Sequence, residues 1–208
     1  MKKYLVAALF TFALLQGVNA QMKAKPGLKA GLNFSNFTNT ETNTKTDFYV
    51  GGLVALKFTK FYTLQPEFVY SRQGAKADYV VYNPLYTGTP IRHEKYHIDY
   101  MSFAAFNKFT FGKGFHAGVG PTLDFRIGDN FHEMYIEEPQ DFDLGLIFGG
   151  GYSLPNGLTF EARFKQGFVD IFGNDYNNYS DQDNDGDASD VVLNQVFQLG
   201  VSYTFDIK

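Results

Sequence analysis

Apolar and polar residues alternate along most of this chain, and that alternation limits its fold more than any other feature. In residues 196–205 a large apolar residue stands at every second position, and the residues between them are mostly small or polar. A period of two residues is typical of a β-strand with one apolar and one polar face. Eight such runs occur, at residues 27–35, 48–58, 62–73, 99–111, 115–126, 142–152, 158–168 and 196–205. The sequence therefore predicts an all-β protein with eight strands.

The lengths of the runs and of their connections point to a membrane. The runs have about 9 to 13 residues, whereas strands of water-soluble domains usually have about five or six; a tilted membrane strand needs roughly 9–11. The connections at 59–61, 112–114 and 154–157 are tight, and the other four have about 12 to 25 residues. Short turns on one side and long loops on the other are typical of outer-membrane barrels. We expect an eight-stranded antiparallel transmembrane β-barrel with short periplasmic turns, long extracellular loops and both termini in the periplasm.

The apolar faces of the runs are predicted to point outward into lipid. An eight-stranded barrel has an interior that holds only its own side chains or one small ligand, and the apolar faces carry too many Phe and Tyr rings for that space. The polar faces combine glycines with charges of both signs, and buried charges are tolerated only when they are paired. The predicted charge network in the lumen comprises Lys29, Lys57, Glu67, Lys108, Asp124, Arg126, Asp143, Glu161, Arg163 and Lys165.

Three residues fit this pattern poorly. Pro66 and Pro121 lie within runs, where a proline removes one N–H from the ladder and a closed barrel has no free edge for it. We expect a β-bulge or a locally weak ladder at each proline. Asn107 falls on the face assigned to lipid, and the sequence offers no reason for a polar residue there.

The first twenty residues have the pattern of a secretory signal peptide. Two lysines precede an apolar stretch at residues 4–15, which is too short for a comfortable membrane-spanning helix, and residues 18–20 form a small-residue cleavage site. We predict a signal peptide at 1–20 and an exported barrel domain at 21–208. The absence of cysteine excludes disulfides and thiolate chemistry. The formal net charge of −4 and the lack of a basic stripe argue against a nucleic-acid partner.

Five stretches of the chain share motifs with a known family: GLKAGLNFSNF, LQPEFVYSRQGAK, FHAGVGPTLDF, DFDLGLIFGGGYSLPNGLTFEARF and VFQLGVSYTF. They resemble the outer-membrane β-barrel family of Bacteroidetes that is called the PorT or porin-family group. The most specific part is the LQPE segment at 64–67 followed by Tyr70 and Ser71. In the fourth run, Ser102 and Ala104 stand where that group usually has Glu and Pro. The resemblance implies a small eight-stranded barrel of the OmpA/OmpX type and no single activity.

Catalytic and metal sites have little support in the sequence. The histidines are His93, His97, His116 and His132, and because they show no metal-ligand spacing we expect ordinary polar roles. Some eight-stranded barrels modify lipids with a Ser/His/acid set on the lipid-facing wall. Here no Ser–His pair lies in register on that face, so a nucleophile and its base cannot meet. We therefore expect no enzymatic activity and no cofactor; weak calcium binding is left open by one acidic motif.

The strongest local motif is the acidic stretch SDQDNDGDASD at residues 180–190. Its carboxylates alternate along the chain and a glycine follows at the sharp turn, as in the first half of an EF-hand loop. Val192 stands at the twelfth position, where an EF-hand has Glu. A solvated acidic loop and a weak calcium site both remain open. The predicted ligands are Asp181, Asp183, Asp185, Asp187 and Asp190.

These features favour a monomeric, non-enzymatic barrel in the outer membrane of a Gram-negative bacterium, with a plugged lumen and functional surface loops. The expected roles are adhesion, partner binding or envelope structure. The expected partners are outer-membrane lipids, the barrel-assembly machinery that reads a terminal aromatic strand, and an extracellular or envelope protein. A narrow pore for ions or small solutes is one alternative, and a lipid-modifying outer-membrane enzyme is another.

Overall fold

A computed structural model of the protein describes residues 23–80, 91–131, 138–173 and 191–206. Its strands are β1 (Lys23–Phe37), β2 (Thr42–Lys57), β3 (Tyr62–Val80), β4 (Ile91–Phe111), β5 (Phe115–Asp129), β6 (Phe142–Ser153), β7 (Leu158–Gly167) and β8 (Asn194–Thr204). Each strand pairs antiparallel with its neighbours in the chain, and β8 pairs with β1, so the sheet closes into a barrel. The predicted eight-stranded antiparallel barrel is confirmed. Within the described ranges, no helix is long and apolar enough to cross a membrane.

Side chains alternate between the outer wall and the interior of the barrel. Leu28 is 62% exposed and the adjacent Lys29 only 4%, and Phe160 and Glu161 show the same contrast at 50% and 5%. Exposed Phe, Leu, Val and Tyr side chains cover the wall, and aromatic rings from neighbouring strands pack against each other there. An outer wall of this composition is stable only when lipid covers it.

One end of the barrel carries the longer connections, and we call it the long-loop end. There the strands continue past the runs in which apolar and polar residues alternate. Because β1 continues to Phe37 and β2 begins at Thr42, residues 38–41 alone connect them. The prediction of a connection of about 12 residues here is therefore wrong. The strands still pair beyond the part of the barrel where the outer wall has to be apolar. Polar residues therefore form part of the strands there, although they provide no apolar face. The opposite, short-turn end carries the connections 58–61, 112–114 and 154–157.

Each proline weakens one of the two ladders that its strand forms, and neither produces a bulge. The pairing of β2 with β3 keeps one register but skips the two pairs between Leu53 and Leu56, the first of which would contain Pro66. The pairing of β4 with β5 skips Ala105 and Phe106 in the same way, opposite Pro121. The register shifts of these ladders lie elsewhere, at residues 44–49 and 99–100. The prediction of a locally weak ladder therefore describes both prolines.

Asn107 lies on the outer wall, beside the gap that Pro121 leaves. Its amide nitrogen donates hydrogen bonds to the carbonyl oxygens of Ala105 and Val119, at 3.1 Å each. Its side-chain oxygen accepts a hydrogen bond of 2.8 Å from the Tyr62 hydroxyl. Pro121 has no N–H to offer Ala105, and a carbonyl without a donor is costly in lipid. Asn107 supplies that donor, which explains a polar residue on the lipid-facing wall.

Candidate functional site: the barrel interior

Four charged side chains from three strands meet in the middle of the barrel. Lys29 Nζ lies 2.6 Å from Glu67 Oε2 and 3.9 Å from Glu161 Oε2. Arg163 Nη1 lies 2.9 Å from Glu67 Oε1, and its Nη2 lies 2.8 Å from Glu161 Oε2. All four side chains are buried, and His116 approaches Glu161 with its Nε2 3.5 Å from Oε1. Two cations thus face two carboxylates, which satisfies the pairing that buried charges require. We call these four residues the central ion network.

The other predicted lumen charges lie outside that network. Asp124 and Lys165 form a second buried ion pair, one layer closer to the long-loop end. Asp143 accepts hydrogen bonds of 3.2 Å from the backbone N–H groups of Phe168 and Val169. It therefore secures the segment that leaves β7.

Three of the predicted lumen charges lie near the two open ends of the barrel: Arg126, Lys108 and Lys57. Arg126 contacts rim carboxylates at the long-loop end, with its Nη2 2.8 Å from Asp141 Oδ1. Lys108 Nζ donates a 3.0 Å hydrogen bond to Ser153 Oγ. Lys57 is exposed at the short-turn end, and no carboxylate of a described residue lies within ion-pair distance of it. The ten predicted residues therefore divide into a central network, a second pair and separate groups near the openings.

Large aromatic side chains also fill the lumen, although none of them is among the predicted lumen residues. Tyr49 and Phe106 are 2% and 0% exposed. The Arg163 guanidinium lies 4.0 Å from the centroid of the Phe106 ring, close enough for a cation–π contact. Tyr49 lies against Gly200, where an added Cβ would be 1.9 Å from the tyrosine oxygen. Both rings stand at positions of lumen parity, which is the sequence signal that would have revealed them.

A layer of neutral polar side chains lies above the central ion network, towards the long-loop end. Asn33 Nδ2 donates to Ser71 Oγ at 2.9 Å, and Gln198 Nε2 donates to Asn33 Oδ1 at 2.8 Å. Gln73 Nε2 also donates to Ser71 Oγ at 2.9 Å, and Asn194 Nδ2 donates to Gln73 Oε1 at 2.5 Å. Hydrogen bonds thus link side chains of β1, β3 and β8 across the interior. Ser71 belongs to the motif that resembles the PorT group, as does Glu67 below it.

A hydrophobic cluster fills the barrel at its long-loop end. Phe131 is 1% exposed, and its ring packs against Tyr96 at 5.2 Å, Phe172 at 5.8 Å and Phe37 at 6.4 Å between centroids. The segments beside it are joined by backbone hydrogen bonds, including Ile171 N to Val192 O at 2.8 Å. The members come from all four connections or the strand ends that lead into them. This aromatic cap consists of Phe37, Ala75, Tyr96, Ile98, Tyr100, Phe131, Ile171, Phe172 and Val192.

The interior retains little free space between the cap and the short-turn end. A void of about 20 Å³ lies beside Lys29, Tyr49 and Asp124, which is room for a single water molecule. A larger cavity of about 230 Å³ opens at the short-turn end, bordered by Lys57, Lys108 and several hydroxyl groups. The central ion network separates the larger cavity from the cap, and the small void lies beside the network on its long-loop side.

The remaining predicted sites fall partly outside the described residues. Among residues 23–80, 91–131, 138–173 and 191–206, no three His, Asp or Glu side chains are placed to hold a metal ion. His93 lies 2.6 Å from Asp78 on an exposed strand, and His97 lies on the same strand, apart from the buried His116. The predicted calcium ligands Asp181, Asp183, Asp185, Asp187 and Asp190, His132 and the predicted signal peptide lie outside the described residues.

Comparison with known structures gives the same architecture. Neisserial surface protein A aligns with a TM-score of 0.53 and 11% sequence identity, over 88% of this chain and 99% of that chain. The attachment invasion locus protein Ail of Yersinia pestis aligns with a TM-score of 0.44 and 11% identity, over 88% of this chain and 100% of that chain. Among curated proteins, the sequence comparison found no significant match. At this identity the likeness to the Neisserial protein shows a shared fold.

The family is shown by the sequence. The family model described as "Outer membrane protein beta-barrel domain" matches residues 19–173 of the 208 residues. That match covers most of the chain, from before β1 to just after β7. The closed ring of eight strands and the apolar outer wall are the structure that such a family requires. The chain therefore belongs to the outer membrane protein beta-barrel domain family and is an outer-membrane β-barrel protein.

Proposed function

We propose that this protein is a non-enzymatic outer-membrane barrel with a closed lumen that acts through the loops of its long-loop end, in adhesion, partner binding or envelope structure. One observation carries the proposal: ion pairs, polar side chains and the aromatic cap successively fill the interior. A barrel with a filled interior has the loops and the rims as its accessible surfaces. In this proposal, the connections between β3 and β4, between β5 and β6 and between β7 and β8 make the contacts outside the membrane.

The closed lumen distinguishes this function from that of a pore. Opening a continuous path requires displacing Arg163 from Glu67 and Glu161, which leaves buried charges without partners. We expect the purified barrel in planar bilayers to show no stable large openings. Reproducible conductance steps of the size seen with porins would overturn the closed lumen and favour the pore.

The positions of serine argue against a lipid-modifying enzyme. In the described strands every serine faces the lumen, namely Ser35, Ser71, Ser102, Ser153 and Ser202. A nucleophile for a membrane lipid has to lie on the outer wall or its rim, beside a base. Expression in a Gram-negative host should leave the lipid A and phospholipid profiles unchanged. A new lipid species that disappears on mutation of one polar residue would establish an enzyme.

The loops are proposed to face the cell exterior and both termini the periplasm, as is usual for barrels with one set of short turns. Protease added to intact cells should cleave within 174–190 and spare the turn at 112–114. Replacing one loop at a time by a short Gly-Ser linker then tests function in a pull-down from outer membranes. We expect one replacement to abolish capture of a specific partner, with K60Q in a short turn as the control. If all the loop variants capture the same proteins as the wild type, the loops do not carry the function.

Within its family, we propose that the chain falls in the PorT or porin-family group of Bacteroidetes. The support is the LQPE segment with Tyr70 and Ser71, whose Glu67 and Ser71 both lie in the lumen and form hydrogen bonds there. An alignment built from that group should place its own motif on residues 64–71. A better alignment with another bacterial group over the same strands would contradict this placement.

A further inference from the structure

The cavity at the short-turn end has an unusual balance of charge. Three lysines border it, Lys25, Lys57 and Lys108. Among its described lining residues there is one carboxylate, Asp206, which forms an ion pair with Lys25 at the rim. Lys57 and Lys108 are therefore left without carboxylate partners there. Positive charge in a narrow opening with low-dielectric walls attracts small anions.

The register of the strands places the two lysines around one hydroxyl. Thr63 pairs with Lys57 on one side and with Lys108 on the other. Their Cα atoms are thus about 9.6 Å apart, two strand spacings of about 4.8 Å. Both side chains have lumen parity, and lysine stems are long enough to converge on one anion over that distance.

The opposite wall offers a row of hydroxyl groups. Ser153, Thr159 and Ser202 are directly paired across β6, β7 and β8. Ser153 Oγ lies 3.0 Å from Lys108 Nζ and 3.0 Å from Thr159 Oγ1, and accepts from both. Its own O–H is then left to donate, because a serine hydroxyl has one proton and two acceptor positions.

The buried carboxylates on the long-loop side of the cavity already have cationic partners. Glu67 is held by Lys29 and Arg163, and Gln65 Nε2 donates a 2.7 Å hydrogen bond to Glu67 Oε1 from the cavity side. Glu161, the other carboxylate of the central ion network, is likewise paired with Arg163. The cavity's volume of about 230 Å³ is smaller than that of sites for drug-sized ligands, roughly 300–1,000 Å³, and suits a small ion.

We propose that this cavity binds a soluble oxyanion of the phosphate class, held by Lys57, Lys108 and the hydroxyl groups of Thr63 and Ser153. The barrel wall separates the cavity from lipid, so the ion enters from the aqueous side of the short-turn end. The site rests on the barrel geometry and is independent of the function proposed for the loops.

The test is a titration of the purified barrel with inorganic phosphate, in amine-oxide micelles that contain no phosphate and at constant ionic strength set with chloride. NMR shifts of the Thr63 and Ser153 amides should saturate. The variant K57Q/K108Q should bind at least tenfold more weakly, and K57R/K108R should stay within a few-fold of the wild type. The matched control K60Q/K113Q removes two exposed lysines from neighbouring turns and should bind as the wild type does.

Four results would overturn the proposal. The first is a shift that never saturates, and the second is an equal loss in K57Q/K108Q and K60Q/K113Q, which would indicate a general charge effect. The third is that phosphatidylglycerol added to the micelles reproduces the same shifts without inorganic phosphate, which would assign the site to a lipid headgroup. Because Lys57 is exposed, the single variant K57Q should remain folded. If K57Q binds phosphate as the wild type does, the lysines do not form the site.

Discussion

Arg163 and Glu67 lie on strands β7 and β3, four strands apart in either direction around the ring, and meet in the lumen with Arg163 Nη1 2.9 Å from Glu67 Oε1. Their side chains are 1% and 4% exposed. Opposite walls of the barrel are therefore joined by a buried ion pair, besides the ladders that join neighbouring strands. Lys29 shares the Glu67 carboxylate, so this one acid partners two buried cations.

Replacing Glu67 with Gln should destabilise the barrel strongly. The variant E67Q keeps the shape of the side chain but leaves two buried cations with one carboxylate, Glu161. Breaking one partner of a buried pair costs about 3–5 kcal/mol, which urea unfolding in lipid vesicles would measure. The control E138Q removes a rim carboxylate that is 58% exposed and should change the free energy of unfolding by less than about 0.5 kcal/mol. Equal midpoints for the two variants would mean that the lumen pair does not stabilise the fold.

An arginine on the outer wall should be costly in proportion to its depth. Leu199 is 43% exposed and pairs with Leu32 and Ala162 on the wall. If it lies near the bilayer midplane, L199R should lower the free energy of unfolding by roughly 2–4 kcal/mol, whereas F205R at the short-turn rim should lower it by about 0–1 kcal/mol. Both are measured by unfolding in vesicles. Wild-type stability of L199R in lipid would contradict the assignment of the outer face.

Gly118 provides the space that Phe106 occupies. A methyl group there would lie 2.5 Å from Phe106 Cζ and 2.6 Å from the Asn107 carbonyl oxygen. Overpacking of this kind costs about 1–3 kcal/mol, so G118A should unfold at a lower urea concentration. Gly52 is the matched control, since a methyl group there has its nearest neighbour at 3.7 Å. If G52A and G118A unfold alike, the glycines do not shape the lumen.

Two aspartates outside the strands, Asp170 and Asp206, should have pKa values on opposite sides of the ordinary pKa of an Asp carboxyl. Burial raises the pKa of Asp170, and a hydrogen bond from Lys25 lowers the pKa of Asp206. The Asp170 contribution to stability is present below its unfolded-state pKa and is lost as the pH rises through its raised value. The Asp206 contribution is present above its unfolded-state pKa and is lost as the pH falls through its lowered value.

Carbon-detected NMR of the side-chain carboxyls measures both pKa values in one titration. The variant K25Q should return Asp206 to the ordinary value and leave Asp170 unchanged. An unchanged pKa of Asp206 in K25Q would mean that the ion pair at the rim does not form in solution.

The acidic segment at residues 180–190 should bind calcium weakly. Its Asp181, Asp183 and Asp185 have the spacing of alternate oxygen ligands, but the bidentate carboxylate of an EF-hand is missing. We expect a dissociation constant on the order of 10⁻⁴ to 10⁻³ M, measured by calorimetry and by protease sensitivity near Tyr179 in millimolar calcium. The variant D183N/D185N should lose both responses. The same response in both proteins, or none in either, would identify a solvated acidic loop.

The local sequence pattern was sufficient to predict the number of strands, their antiparallel order, and which face of each strand points outward and which points into the lumen. Alternation along a strand depends on the residue's own position, and a tight turn forces neighbouring strands to pair. Leu28 and Lys29, or Phe160 and Glu161, could therefore be assigned to the wall and the lumen from their parity alone. The predicted set of lumen charges follows from the same parity.

Only the closed barrel decided which side chains meet across the lumen. Glu67 forms ion pairs with Lys29 and Arg163, while Asp124 pairs with Lys165. These partners meet because the register around the whole ring sets the position of each residue along the barrel axis. The aromatic cap also depends on closure, since Phe37, Phe131 and Phe172 are distant in sequence and converge only at the long-loop end. Asn107 is the clearest case: it donates to the Ala105 carbonyl, which Pro121 on the next strand leaves without a donor, and no pattern within its own strand contains that information.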